Sequence, residues 1–188
     1  MLTSYERKED AELIAGALKG SEKAWICLVK RYEKKVFNHA LRISSNREDA
    51  MDIMQDTFLA VYRNLQSYRG EGSFRAWLFR IAVFRATDLL RRKKMKLEEL
   101  VEIEDIDSNG DPEAQSLQQS DNVKIMQLMQ PLSFDARQIL ELKFFQSFTF
   151  EEIAGQLGIS VNTAKSRLYA ALEKMRQSES RSQMISNT

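Results

Sequence analysis

Residues 148–169 have the sequence FTFEEIAGQLGISVNTAKSRLY, which predicts two short helices joined by a tight turn. Thr149 and Glu152 have the spacing of a capping box, in which each side chain bonds a free backbone amide at a helix start. Gly158 ends the first helix, and Ser160 is a favourable N-cap for the second. Apolar residues recur every three or four positions along one face of the first helix, namely Phe150, Ile153, Ala154 and Leu157. The run therefore predicts a helix-turn-helix.

The second helix of this motif has an apolar face and a polar face. The residues expected to be buried are Val161, Ala164, Leu168, Leu172 and Met175. The candidate DNA-contacting residues are Ser160, Asn162, Thr163, Lys165, Ser166, Arg167 and Tyr169. Side chains of these types hydrogen-bond to base edges or phosphates when a helix enters the major groove. A helical hairpin with a plain polar surface is the alternative, but the cap, the turn and the apolar spacing agree with a DNA-binding motif.

The composition is that of an ordinary globular chain. The chain has 188 residues, of which 43% are hydrophobic and 29% charged, and this length allows one or two domains. There is no run of 18 apolar residues and no signal-peptide pattern, so we expect a cytoplasmic protein without membrane insertion. Cys27 is the only cysteine and His39 the only histidine. We therefore expect no disulfide, no metal site and no cofactor.

Charge is strongly segregated although the net charge is only +1. Residues 75–96 contain eight basic groups and one acidic group, whereas residues 97–122 contain nine acidic groups and no basic group. We interpret residues 97–122 as an acidic linker, and a surface helix over Leu97–Ile106 is the alternative. The predicted organisation is an all-α fold with two small helical domains, at 1–96 and 123–178, and a flexible tail at 179–188. We expect about four helices between Asp10 and Lys96.

The segment Asn46–Leu65 predicts a helix with two distinct faces. Asn46 is a suitable N-cap, and the core face is expected to contain Ala50, Ile53, Met54, Thr57, Phe58, Val61 and Leu65. The opposite face contains Asp49, Asp52, Gln55, Asp56 and Leu59, which suit the docking of a basic partner helix. A solvated acidic face is the alternative. An acid–base or metal site is disfavoured, because exposed neighbouring acids lack the burial and converging ligands that such sites need.

The segment Tyr68–Lys94 combines aromatic and basic residues. A glycine-containing loop, Tyr68–Gly72, precedes a long helix that Ser73 caps. Trp77, Arg80, Phe84, Thr87 and Arg91 recur every three or four positions and so share a stripe on this helix. Aromatic rings stack on unpaired bases and guanidinium groups bind phosphates, so the stripe suits single-stranded DNA. The alternative is that Phe74, Trp77, Leu78 and Ile81 are simply core residues.

Taken together, these segments resemble the extracytoplasmic-function (ECF) sigma factors, the compact two-domain branch of the bacterial primary-sigma family. The matching stretches, in chain order, are Asp10–Ala15, Lys30–Phe37, Asn46–Leu65, Ser73–Ala82 and Ser160–Tyr169. They correspond to the opening helices, the polymerase-binding helix, the promoter-melting segment and the helix that recognises the upstream promoter element. The likeness extends from about Asp10 to Met175 and is interrupted by the acidic linker.

The resemblance implies a role for each surface. The face with Asp49, Asp52, Gln55, Asp56 and Leu59 would bind the coiled coil of the largest catalytic subunit of core RNA polymerase. The −10 element of promoter DNA would be held by Tyr68, Arg69, Phe74, Trp77, Arg80, Phe84, Thr87 and Arg91. The polar face of the last helix would recognise the −35 element. The linker would run toward the active-site and RNA-exit channels of polymerase, and an anti-sigma factor would restrain the protein.

These observations favour a promoter-specificity subunit that is not itself an enzyme and has no catalytic residues. Two other functions stay open at this point. A stand-alone helix-turn-helix regulator would bind duplex DNA tightly without polymerase, but it leaves the segments between Asn46 and Lys94 unexplained. A sigma mimic that binds only protein partners would not need the face around Arg167.

Overall fold

A computed structural model of the chain describes residues 7–101 and 125–186. In these two ranges the regular structure is entirely helical, which confirms the predicted all-α class. None of the helices in the described ranges is both long enough and apolar enough to cross a membrane. The acidic segment that was interpreted as a linker lies outside the described residues from position 102 to its end at 122.

The N-terminal part contains the four helices that were predicted. They are α1 (Asp10–Leu18), α2 (Glu22–Ser44), α3 (Arg47–Asn64) and α4 (Phe74–Val101), with a 3-10 turn at Leu65–Ser67 between the last two. Side-chain caps start three of them: Ser21 accepts from the Ala24 amide, Asn46 from the Asp49 amide and Ser73 from the Ala76 amide. Helix α4 continues to Val101, past the boundary at residue 96.

The C-terminal part contains a short helical segment at residues 125–129 and three further helices. These are α5 (Phe134–Leu140), α6 (Phe150–Leu157) and α7 (Val161–Ser186), and a π-helical turn, Glu141–Phe145, follows α5. The backbone of α7 is helical through Ser186, where the sequence analysis placed a flexible tail from residue 179. Leu172, expected in the buried stripe of α7, is exposed, because Ala171 takes the buried position beside Leu168.

The helix-turn-helix of α6 and α7 forms as the sequence predicted. The Thr149 hydroxyl accepts from the Glu152 amide at 3.2 Å, and the Thr149 amide donates to the Glu152 carboxylate at 2.8 Å. Gly158 ends α6 with φ +65°, a left-handed conformation that L side chains rarely adopt. Ser160 caps α7 by accepting from the Thr163 amide at 3.0 Å. Local hydrogen bonds therefore set the angle at which α7 leaves the turn.

The two predicted domains pack against each other through a shared apolar core. Residues of α2 and α4, such as Val36 and Phe79, belong to the same buried cluster as Leu142, Phe148 and Ile153 of the C-terminal part. The rings of Phe79 and Phe148 meet edge-on, with centroids 5.8 Å apart. Burial of such large side chains is the main favourable term in packing the two parts together.

A buried ion pair lies beside this core. Arg42 of α2 donates from Nε to Glu141 Oε2 at 2.5 Å and from Nη2 to Glu141 Oε1 at 2.9 Å. Gln146 donates to the same carboxylate at 3.0 Å, His39 Nδ1 lies 3.6 Å from it, and the Arg42 guanidinium lies 4.0 Å from the centre of the Phe145 ring. The carboxylate is thus surrounded by donors from both domains.

These neighbours decide the charge state of Glu141. Burial by itself raises the pKa of the Glu141 carboxyl, but the adjacent His39 ring and the hydrogen-bonded Arg42 guanidinium outweigh it, so the net pKa shift is downward. A lowered pKa means that the ionised form stabilises the folded protein at pH values above the ordinary carboxyl range. That contribution is lost as the pH falls through the lowered pKa.

We predict that Arg42→Met lowers the free energy of unfolding by about 3–5 kcal/mol, because the buried Glu141 carboxylate loses its partner. The double variant Arg42→Met/Glu141→Met should recover most of this loss, since no buried charge is left without a counter-charge. Urea unfolding followed by circular dichroism measures both values. A double variant that is no more stable than Arg42→Met alone would contradict a charge-based explanation.

Candidate nucleic-acid and protein-binding surfaces

Helix α3 presents a polar surface with an apolar centre to solvent. Its core side is formed by Ala50, Ile53, Thr57 and Val61, all buried. On the other side Asp52, Gln55, Asp56 and Leu59 are exposed, and Leu59 keeps 53% of its surface accessible. An exposed leucine between carboxylates can anchor a partner helix whose flanking residues are basic.

Asp49 does not belong to this exposed surface, so its predicted exposure is wrong. It lies one turn before Ile53 and therefore at the edge of the core face, where it is buried. Its carboxylate accepts a short contact from Lys93 Nζ of α4. The pair ties α3 to α4.

An apolar groove that the sequence analysis did not find lies next to the polar surface of α3. It has a volume of about 530 Å³ and is bordered by Trp25, Phe58 and Tyr62, together with Gln55 and Leu59 of the polar surface. Trp25 meets Tyr62 edge-on at a centroid distance of 5.1 Å. The sequence pattern did not indicate this groove, because Trp25 lies on α2 and is more than 30 positions from Phe58 and Tyr62 on α3.

The loop before α4 is ordered by local contacts. Gly70 and Gly72 have φ values of +76° and +84°, which glycine adopts without strain. The Tyr68 hydroxyl donates to the Gly72 carbonyl at 2.9 Å, and the Tyr68 ring lies 5.4 Å from the Trp77 ring at an angle of 47°. The loop therefore holds an aromatic pair at the start of α4, and Arg69 beside it is exposed.

The predicted stripe lies on the accessible side of α4. Trp77 is half-buried, and Arg80, Phe84, Thr87 and Arg91 follow it as exposed residues. Phe84 keeps 62% of its surface accessible, so its ring is available for stacking.

Phe74, by contrast, is a core residue, and its assignment to DNA contact is wrong. It is only 3% exposed, and its ring packs against the rings of Tyr32 at 5.6 Å and Tyr68 at 5.5 Å. The alternative of a core role, which the sequence analysis left open, holds for Phe74 and Leu78. Phe74 therefore packs against the Tyr68 ring from the core side and stabilises the loop.

The polar face of α7 lies on the surface as predicted. Asn162, Lys165, Ser166, Arg167 and Tyr169 are exposed, and Thr163 is half-buried. Two hydroxyls on this face already have intramolecular partners: Ser160 caps the helix, and Ser166 donates to the Thr163 carbonyl at 3.0 Å. Lys165 Nζ lies 5.6 Å from the centre of the Phe150 ring, within cation–π range.

Arg167 has an intramolecular partner that the sequence analysis missed. Its Nη1 atom donates to Asp135 Oδ2 of α5 at 3.0 Å. The two side chains are 42% and 56% exposed, so the pair lies at the surface. Sequence spacing gave no sign of it, because 32 positions separate the two residues.

Four residues of the candidate −10 surface and one residue of the candidate −35 surface line a groove between the domains. The groove has a volume of about 840 Å³, and its lining includes Trp77, Arg80, Phe84 and Thr87 of α4 and Arg167 of α7. Gln138 of α5 bridges the domains there, since its Nε2 donates to Thr87 Oγ1 at 3.2 Å. Asn162, Lys165, Ser166 and Tyr169 of α7 are not among the residues that line this groove.

The histidine, cysteine and carboxylate side chains of the described residues do not form a metal-ligand cluster. Within residues 7–101 and 125–186 no group of three His, Cys, Asp or Glu side chains converges as metal ligands. Cys27 is buried in the apolar core, and His39 is buried beside Glu141 where the two domains meet. The arrangement of exposed groups suits binding of protein and nucleic acid.

Comparison with known families matches both domains. Residues 28–95 match the family model Sigma-70 region 2, and residues 122–175 match the model Sigma-70, region 4. The chain is 32% identical over 178 residues to the ECF RNA polymerase sigma-E factor of Salmonella typhimurium, covering 89% of this chain and 93% of that protein. It is 29% identical over 177 residues to the RNA polymerase sigma-H factor of Pseudomonas aeruginosa, covering 89% and 92%.

Solved structures share the fold. The structure of CnrH in complex with the cytosolic domain of CnrY superimposes with a TM-score of 0.66 at 24% identity, covering 89% of this chain and 95% of that one. The sigma factor RpoE of Bartonella quintana, in complex with the anti-sigma factor NepR, gives 0.64 at 21% identity, covering 79% and 92%. The two matching regions, in this order and over nearly the full length of the relatives, place the chain in the family of ECF RNA polymerase sigma factors.

Proposed function

We propose that this sigma factor binds core RNA polymerase through α3, holds the opened −10 element with α4 and recognises the −35 element with α7. Its family acts in promoter-directed transcription initiation with RNA polymerase. The observation that carries the assignment of residues is the exposed stripe from Trp77 to Arg91, because a half-buried tryptophan and an exposed phenylalanine alternate with arginines there. The polymerase carries out the chemistry of RNA synthesis, so this chain needs no catalytic group of its own. Because it works together with polymerase, the proposed location is the cytoplasm.

Polymerase docking is assigned to Asp52, Gln55, Asp56 and Leu59 of α3. Their exposed carboxylates complement a basic helix of the coiled coil in the largest catalytic subunit, and Leu59 supplies an apolar anchor. Asp49 is left out of this contact, because it already binds Lys93. It supports the docking surface from behind by holding α3 against α4.

Strand capture is assigned to the loop at Tyr68 and the stripe on α4. Rings at Tyr68, Trp77 and Phe84 provide π-faces for unstacked bases, each such contact being worth about 1–3 kcal/mol. Arg80 and Arg91 lie between and beyond these rings and provide cations for the phosphates. Several contacts of this size offset the few kcal/mol needed to extract a base from the stack.

Use of both surfaces on one promoter requires the domains to separate. Elements centred about 25 base pairs apart are roughly 85 Å apart along B-form DNA at 3.4 Å per base pair. Trp77 and Arg167 instead line a single groove. We infer that polymerase stabilises a separated arrangement, at the cost of the contacts around Arg42 and Glu141. An anti-sigma factor, like the one bound to RpoE of Bartonella quintana, would restrain this chain by opposing that change.

We predict that Asp52→Arg and Asp56→Arg, made separately, each weaken core-polymerase binding by at least about tenfold, because a repulsive charge faces the basic partner. Glu33→Arg changes the charge equally at an exposed position of α2 and should bind normally. Fluorescence anisotropy with labelled protein measures the affinities. Equal affinities for all three variants would remove α3 from the interface.

We predict that Phe84→Ala reduces strand opening at the −10 element, because a stacking platform is lost. Phe84→Tyr keeps the ring and should open DNA like the wild type. Permanganate footprinting of unpaired thymines in the holoenzyme–promoter complex measures opening. Normal opening by Phe84→Ala would show that the exposed ring plays no part in it.

We predict that Arg167→Ala weakens holoenzyme binding to the −35 element, whereas Arg176→Ala on the same helix has little effect. Arg176 already pairs with Glu173 at 2.8 Å and lies outside the proposed recognition face. Titration of promoter duplex over a series of KCl concentrations also shows whether Arg167 contacts a phosphate or a base. A lost phosphate contact reduces the salt slope by about 0.9, and a lost base contact leaves the slope unchanged. Unchanged affinity would exclude Arg167 from the interface.

A further inference from the structure

We propose that Asp135 is a positioning residue for Arg167, which directs this arginine toward a base edge and away from the phosphate backbone. The proposal rests on the proposed function of α7 as the −35 recognition helix. Asp135 itself lies on α5, outside the helix-turn-helix, and the sequence pattern gave it no role. Its assignment comes from one contact, the hydrogen bond of 3.0 Å between Arg167 Nη1 and Asp135 Oδ2.

Stability alone does not explain this contact. Both side chains are largely exposed, and exposed ion pairs contribute little to the free energy of folding. The start of α5 already has its cap, because the Ser133 hydroxyl accepts from the Ala136 amide. Asp135 gains a modest benefit from the helix dipole, but that benefit does not require a bond to Arg167.

The contact has a direct effect on how Arg167 presents its donors. A guanidinium has five N–H donors in a planar fork, and the Asp135 carboxylate engages one nitrogen of it. The contact favours one orientation of the side chain, which lowers the entropy lost when the remaining donors bind a base edge. A free arginine would have to lose that freedom on binding.

The same carboxylate acts against phosphate binding. It offsets the positive charge of Arg167 and repels a phosphate that approaches the same side of the guanidinium. Phosphate contacts position a protein without reading sequence, whereas a bidentate arginine–guanine contact discriminates between bases. Asp135 therefore lowers non-specific attachment by Arg167 and leaves its sequence-dependent bond available.

The pair is independent of how the two domains are arranged. Asp135 and Arg167 both lie in the C-terminal domain, and α5 packs directly on α7. Separation of the domains on polymerase therefore leaves the pair intact. It differs in this respect from Gln138, which bonds Thr87 across the domain boundary.

The experiment uses holoenzyme assembled from core polymerase and the full chain. A promoter is first selected from a genomic DNA pool with the wild-type protein, and each −35 base pair is then changed in turn. Dissociation constants are measured over a KCl series for the wild type, Asp135→Asn, Asp135→Glu, Arg167→Ala and Arg167→Ala/Asp135→Asn. Asp135→Ser serves as a second variant in case Asp135→Asn unfolds in a thermal melt.

With Asp135→Asn we expect discrimination to fall at one −35 base pair only, by up to about fivefold, which is the most that an exposed ion pair such as Arg167–Asp135 contributes. Affinity for the altered sites should rise, and the salt slope should steepen by about 0.9 as Arg167 moves to a phosphate. Asp135→Glu should restore the wild-type values, and Asp135→Asn should have no effect on discrimination once Arg167 is alanine.

Two results would overturn the proposal. One is unchanged discrimination and salt slope with Asp135→Asn, and the other is the same loss of discrimination when Arg167 is already alanine. The wild-type arm tests the proposed function separately, because a wild-type holoenzyme that selects no promoter sequence refutes the sigma-factor role of α7 before any variant is compared.

Discussion

The buried bond between Arg42 and Glu141 is the constraint on which the arrangement of the two domains depends. Each charge would be costly to bury without the other, so the packed arrangement of α2 against the turn after α5 requires that Arg42 and Glu141 stay bonded to each other. The apolar contact between Phe79 and Phe148 stabilises the packing of the domains but is not directional. The bidentate Arg42–Glu141 bond, by contrast, fixes the orientation of one domain relative to the other. The groove shared by the DNA-binding surfaces follows from this contact.

This arrangement relates the fold to the proposed function. With the domains packed, the exposed stripe of α4 and Arg167 of α7 line one groove. In the proposed function, polymerase supplies contacts that replace the domain interface and presents both surfaces to one promoter. The recognition face itself is only weakly basic, with Lys165 and an Arg167 that Asp135 partly neutralises. Tight binding then comes from the assembled holoenzyme, through effective concentration.

Sequence reasoning succeeded where a structure depends on neighbours within one or two helical turns. The capping box at Thr149, the cap at Asn46 and the alternation along α4 all have local causes, and each was predicted. It failed for Asp49, which was grouped with the exposed acids although it lies at the edge of the core face, and its partner Lys93 is on another helix. The partners of Glu141 and Arg167 lie 99 and 32 positions away, so periodicity contains no sign of them. Phe74 was ambiguous, since core and stacking aromatics share the same spacing.

Transcription in vitro tests the central claim most directly. Core RNA polymerase is incubated with a pool of genomic DNA fragments, with and without this protein, and the 5′ ends of the transcripts are mapped. We expect new start sites that appear only with the protein and that share two upstream sequence elements at a fixed spacing. Transcripts with identical start sites in both reactions would contradict the account of this chain as a promoter-specificity subunit.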